Sequence, residues 1–191
     1  MPEPRPDTLD FLLTRRSRPA KTLSDPAPDR AALETLLTAA ARTPDHGMLV
    51  PWRFLVVEKA ALGRVAAAAA ARAAALGKDP GDIEKVRSAF ANAPLVVAVI
   101  ASPKPSEKIP QIEQTLSAGA VCLSLLNAAL AAGWGANWLT GWTALDRPFL
   151  AELGLDETEF VAGYIHIGSE SVVPAERARP DIAAITRWFE A

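Results

Sequence analysis

Helical and strand periods alternate along this chain, and that alternation bounds the fold before any single residue does. Leu9, Leu12 and Leu13 share one face of a first helix, capped by Asp7 or Thr8 and ending near Arg15. Residues 19–28 are polar and proline-containing and read as a loop. Asp29 is placed to cap a second helix, with Leu33, Leu36, Leu37, Ala40 and Ala41 on one stripe and Pro44 breaking it. The run Phe54-Leu55-Val56-Val57 does not alternate, which predicts a strand covered on both faces. Residues 60–76 are nearly all alanine, a strong helix former that buries little, so this helix is expected at the periphery. Gly77 and Gly81 break it, residues 82–91 make a short helix, and residues 95–100 make a second buried strand.

The longest apolar pattern, residues 109–132, is a helix stopped by Gly133. Residues 134–139 form a third strand, 146–153 a helix, and 160–167 a fourth strand on which Tyr164 and His166 alternate. His166 reads as a structural histidine. An extended tail over 169–180 and a terminal helix over 181–189 complete the chain. Helices interleaved irregularly with strand runs imply one α+β domain over 1–191, with a mixed sheet of four to five strands and helices on both faces. The long helix carries small residues such as Ser117, Gly119, Ser124 and Ala128 on several faces. A helix apolar all round must be buried on every side. A homodimer interface is therefore expected along it, the alternative being the centre of a monomer. Residues 169–191 are expected to pack on the partner subunit.

Half of the 191 residues are apolar and 22% are charged, as in an ordinary globular domain. A net charge of −2 with dispersed basic residues offers no field for nucleic acid or an anionic membrane. Cys122 is the single cysteine, so no internal disulfide forms. The opening residues MPEPRPDTLDFLL lack the basic-then-apolar order of a secretory signal, and a reducing, cytoplasmic compartment is the expectation. Residues 117–134 match a membrane span in length, yet their Ala, Gly, Ser124 and Asn127 favour a buried helix.

Two polar clusters stand where apolar helices stop. Arg15-Arg16-Ser17-Arg18 closes the first helix, and Thr43-Pro44-Asp45-His46, preceded by Arg42, leads from the second into Pro51-Trp52. Paired guanidinium forks beside a hydroxyl suit a phosphate, whose oxygens they grip two at a time. Read alone, Arg15, Arg16 and Arg42 are equally cations at helix C-termini, and His46 a turn histidine. No HExxH, GxSxG or cysteine cluster is present, so no metal is expected.

RRSR, TPDHGMLVPWRF, KIPQIEQTLSAGA and GWGANWLTG occur in that order, and together they resemble the nitroreductase family, in particular its short bacterial NAD(P)H nitroreductase branch, from about Leu9 to Ile167. The resemblance implies an α+β nitroreductase-like fold, a homodimer with two active sites at its interface, and one FMN per subunit. It implies Arg15, Arg16 and Ser17 at the FMN phosphate and ribityl end, Arg42 and His46 as further FMN contacts, and Trp138, Leu139 and Thr140 as a backbone edge against the cofactor. Its NAD(P) segment falls on Ala128, Ala129, Leu130, Ala131, Ala132 and Gly133. Leu139 stands where relatives often carry Arg. Arg18 or Lys21 matches a second basic position, and Arg177 or Arg179 could reach a phosphate from the tail.

The implied activity has two steps. NADH or NADPH reduces the flavin, and a small electron-poor acceptor, a nitro compound or a quinone, then takes the electrons. The cofactor carries the chemistry, so no catalytic side chain is expected. The rivals are a related flavin enzyme with another acceptor, a non-catalytic FMN-binding dimer, and a flavin-free interaction domain. The alanine-rich segment is the expected place for a lid over an open, weakly selective pocket.

Overall fold

The computed structural model describes residues 3–190. Five strands form one sheet: β1 (Leu23–Ser24), β2 (Trp52–Val57), β3 (Leu95–Ala101), β4 (Gly135–Leu139) and β5 (Phe160–Glu170). The long β5 organises it. β5 pairs with β3 from Leu95↔Ile167 to Ala101↔Phe160 and with β4 from Gly135↔Gly168 to Leu139↔Tyr164; its last residues take β1. β2 pairs with β3 and is an edge strand. Every pairing is antiparallel.

The described residues form seven α-helices, α1 (Pro6–Thr14), α2 (Arg30–Ala40), α3 (Lys59–Ala75), α4 (Pro80–Ala91), α5 (Gln111–Ala131), α6 (Arg147–Glu152) and α7 (Ile182–Ile185), of which α2 to α6 build the two cores on the sheet. Alternation along β3 separates two cores. Val96, Ala98 and Ile100 meet Leu62, Phe90 and Phe149 of α3, α4 and α6 on one face. Leu95, Val97 and Val99 meet Leu33, Leu36, Val121 and Leu125 of α2 and α5 on the other. Asp29 caps α2 through the Ala32 N–H, and Gly133 (φ 85°) ends α5 as expected.

Several elements depart from the sequence reading. The alanine-rich α3 is a core element, not a peripheral one: Leu62, Val65, Ala66, Ala69 and Ala73 are buried, because methyl side chains let it approach α4 and the sheet closely. The strand at 54–57 begins at Trp52 and lies at the sheet edge, so its side chains touch both cores while most stay half-buried. The loop at 19–28 contains β1, a strand fixed only by its pairing with residues 169–170. α1 is capped at Arg5 without a side-chain bond, in place of Asp7 or Thr8, and Pro6 sets its first turn. The terminal helix is confined to four residues, capped by Asp181, and leaves Ile182 and Ile185 exposed.

Apolar surface is left open on α1 and α5 as well as on the tail. None of the α1 residues is buried, and Leu13 is 72% exposed. α5 is not buried on every side either. Val121, Cys122, Leu125, Leu126 and Ala129 enter the core, whereas Ile112, Leu116 (65% exposed) and Leu123 form an outward stripe. α5 is long and apolar enough to cross a membrane by length and composition, and its inner face is built into the protein core.

Candidate functional site

α1 stops at Thr14 because Arg15 turns extended (φ −56°, ψ 142°). The following loop is fastened to β4. The Arg18 N–H donates to the Ala136 carbonyl at 2.8 Å, and Asn137 Nδ2 donates to the Arg18 carbonyl at 2.6 Å. Inside the loop, Arg15 Nη2 donates to Ser17 Oγ at 2.9 Å and Arg18 pairs with Glu170. The Nε atoms of Arg15 and Arg16 are buried and have no hydrogen-bond partner. Burial lowers the Arg15 pKa, and the neighbouring cations Arg179, Arg16 and Arg18 lower it further. Arg179, brought in by the tail, is balanced by Glu176 at 2.8 Å. A cavity of about 300 Å³ opens here, lined by Arg15, Arg16, Arg18, Leu130, Trp134 and Glu170, with Gly133 at its edge; the Glu170 carboxylate is taken by Arg18, which leaves Arg15 and Arg16 without an anion.

Half-buried guanidinium groups crowded together, with two donors unused, constitute a site short of an anion. A tetrahedral oxyanion would satisfy the orphaned donors and relieve the mutual repulsion. Of the segment Ala128–Gly133, Leu130 and Gly133 line this cavity, Ala129 is buried, and Ala131 and Ala132 are exposed. That stretch brings a small apolar flank and no polar side chain.

β4 carries the second half of the site. It runs from Ala136, beside the arginine loop, to Leu139 about 10 Å further along, with Thr140 the next residue beyond its end. Trp138 lies across Gly163 of β5: a Cβ there would sit 2.2 Å from the indole Nε1 and 2.9 Å from Cys122 Sγ. Burial pushes the Cys122 thiol up to about 12, leaving it unreactive. Beyond Leu139 and Thr140 lies a cavity of about 340 Å³ whose wall includes Tyr164 and His166. His166 is 3% exposed, and burial lowers its pKa to about 4, so the ring is neutral at pH 7.

His46 is not brought to this place. His46 Nδ1 lies 2.8 Å from Glu113 Oε2 in the first turn of α5, whereas the arginine cavity touches Leu130 near its last. Seventeen helical residues separate those turns by about 25 Å. The 43–52 loop is fixed along α5: Ser117 donates to the Pro44 carbonyl at 2.8 Å, and the Asp45 carboxylate receives the Leu49 and Val50 N–H groups. Arg42 is exposed, next to Thr43, whose hydroxyl contacts Ser124 midway along α5. Sequence reading did not find Asn137 or Glu170. Asn137 sits in the ANWLT string, but nothing local marks its bond to a residue 119 positions away.

Comparison with known proteins agrees with this architecture. The family model described as "Nitroreductase family" matches residues 12–169. The Escherichia coli K12 protein named "Putative NAD(P)H nitroreductase YdjA" is 35% identical over 185 residues, 96% of this chain and 100% of that protein. The structure of a nitroreductase-like family protein from Bacillus cereus superposes with a TM-score of 0.81 at 22% identity, covering 96% of both chains. A structure from Desulfovibrio desulfuricans, described as "a putative nitroreductase in complex with fmn", superposes with a TM-score of 0.74 at 21% identity over 95% of this chain and 96% of its own. The chain belongs to the nitroreductase family of oxidoreductases.

Proposed function

We propose that the protein is an FMN-dependent oxidoreductase, taking hydride from NADH or NADPH and delivering electrons to a small electron-poor acceptor, a nitro compound or a quinone. The observation that carries this reading is the pair of buried, unpartnered Nε donors of Arg15 and Arg16 beside the Ser17 hydroxyl. These groups would hold the FMN phosphate and ribityl end, with Arg179 completing the charge. Trp138, Leu139 and Thr140 would face the ring along β4, at a distance from the arginines on the scale of a ribityl chain. When bound, FMN supplies a group that accepts hydride from one substrate and returns electrons to another. The chain's own work is to bind, orient and shield, and no side chain serves as nucleophile. Ala128, Ala129, Leu130, Ala131, Ala132 and Gly133 would offer the nicotinamide dinucleotide a flat, small-residue surface.

The site is completed across a homodimer. The exposed stripe Ile112, Leu116, Leu123 on α5 and the unburied Leu9, Leu12 and Leu13 of α1 require an apolar partner. A twofold axis across the middle of α5 would set the His46 end of one subunit against the arginine end of the other, erasing the 25 Å separation. Arg42 and His46 would then reach the flavin bound by the partner. Residues 169–191, with Trp188 and Phe189 exposed, would serve as the arm that embraces it. The lone buried Cys122 fits the cytoplasm.

A visible absorption spectrum before and after anaerobic addition of NADH or NADPH tests the reading. The purified protein is expected to be yellow and to bleach with at least one donor. The Arg15→Ala, Arg16→Ala double variant should lose most of its FMN; unchanged occupancy overturns the phosphate site. FMN retained but never bleached would identify the non-catalytic dimer, and a colourless protein the interaction domain.

A further inference from the structure

The cavity beyond Leu139 and Thr140 has features that the flavin reading does not use. At about 340 Å³ it is the size of a small-molecule pocket. Its walls are largely aromatic and apolar: Val86 and Phe90 of α4, Trp142 and Tyr164. The Tyr164 hydroxyl is already spent on the Thr143 carbonyl at 3.1 Å. His166 is not. It lines the cavity, is 97% buried, touches the Phe90 ring at 6.4 Å between centroids, and makes no side-chain hydrogen bond to any described residue. A neutral imidazole without a protein partner in this lining is free to give one hydrogen bond and accept another from a polar atom that enters the cavity.

The mouth of the cavity is cationic. Lys78 and Lys85 both line it, and neither forms an ion pair with a described residue. Lys78 is held in place by the Trp142 ring, its Nζ 5.6 Å from the centroid. Asp82 is the one carboxylate in the lining, so the two lysines outweigh it.

We propose that this cavity is the acceptor pocket and that it selects a planar aromatic molecule bearing an anionic substituent. Lys78 and Lys85 meet the anion at the mouth, Phe90 and Trp142 flank the ring, and His166 hydrogen-bonds a polar atom at the inner end. Assigning the occupant as the acceptor rests on the proposed function, because Leu139 and Thr140 are where the flavin ring would end. The binding chemistry itself does not. Such a pocket is selective, contrary to the open, weakly selective pocket expected from the alanine-rich segment.

The matched probes are 4-nitrobenzoate and its methyl ester, titrated against the protein as purified, with the FMN content of every sample read from its visible band. The acid is expected to bind about tenfold more tightly than the ester. Lys78→Ala with Lys85→Ala should abolish that preference and leave the ester unchanged. His166→Phe should weaken both probes, and His166→Gln, which keeps a hydrogen-bonding group, should restore part of the loss. Equal binding of acid and ester, or a double lysine variant that keeps the preference, overturns the inference. Loss of FMN itself in the lysine or His166 variants also overturns it, since the cavity would then be the flavin's own. A protein without FMN that still prefers the acid upholds the pocket and sinks the proposed function instead.

Discussion

Asn137 holds the arginine loop in place: its Nδ2 donates to the Arg18 carbonyl at 2.6 Å, while the Arg18 N–H bonds to Ala136 on the same strand. The two bonds align residues 15–18 with β4, so the anion-seeking cations and the strand edge belong to one rigid unit. Asn137→Ala removes one of them. The expected cost is about 1 kcal/mol of stability. FMN affinity should fall by more than that loss alone explains, because the guanidinium groups are no longer pre-aligned. Thermal unfolding with and without added FMN measures both effects.

Gly163 lets Trp138 cross the sheet. Any Cβ at this position would overlap the indole Nε1 at 2.2 Å and Cys122 Sγ at 2.9 Å. Gly163→Ala must therefore push Trp138 off β5, at roughly 1–3 kcal/mol. Trp138 is one of the residues proposed to face the flavin ring, so tryptophan fluorescence and FMN occupancy should change together. Cys122→Ala in the same background removes the second clash and should recover some stability, though not the original tryptophan signal.

Acid should unfold the protein in two stages with separate owners. His166 has its pKa lowered to about 4 by burial, against 6.5 for an ordinary histidine. Between those values the unfolded chain binds a proton that the folded chain refuses, so stability falls as pH drops from 6.5 to 4, by up to about 3 kcal/mol. Glu159 has its pKa lowered to about 2 by the Arg53 guanidinium, which grips it at 2.8 and 2.6 Å. Its contribution is complete above pH 4.5 and is lost toward pH 2. Arg53 is 41% exposed on its side chain, and solvent trims that contribution to about 2 kcal/mol. Denaturant titrations across pH should show His166→Phe flattening the upper limb and Glu159→Gln the lower. An unchanged upper limb in the histidine variant would place the titrating group elsewhere.

What could be read from the chain without its structure follows the range of the forces involved. The Asp29 cap, the Gly133 stop and the apolar run of β3 are decided by neighbours a few residues away, and each stands where it was expected. Arg15 and Ser17, two positions apart in sequence, are likewise joined by a local bond. β1 was invisible because two residues make a strand only when residues 169–170 lie beside them. α3 reads as peripheral from its side-chain volumes, yet alanine is what allows close helix packing, and only the neighbours reveal which effect wins. Separation was hidden too. Arg15 and His46 belong to adjacent motifs along the chain, and only the length of α5 shows that one subunit cannot bring them together.

That separation yields the most direct test of the dimer. If each flavin is held by Arg15 and Arg16 of one subunit and by Arg42 and His46 of the other, two defective chains can mend each other. The Arg15→Ala, Arg16→Ala chain lacks the phosphate end of both sites, and an Arg42→Ala, His46→Ala chain lacks the opposite end. Either homodimer should bind FMN poorly. In a mixed dimer the defects fall together on one site and leave the other intact. Unfolding the two variants together and refolding should restore about a quarter of the wild-type sites, since half the dimers are mixed and each carries one good site. A charged residue on the outward stripe of α5, Leu116→Asp, should halve the mass in solution and abolish the rescue. FMN binding that refolding as a mixture fails to raise above that of the separate variants would return Arg42 and His46 to the status of surface residues.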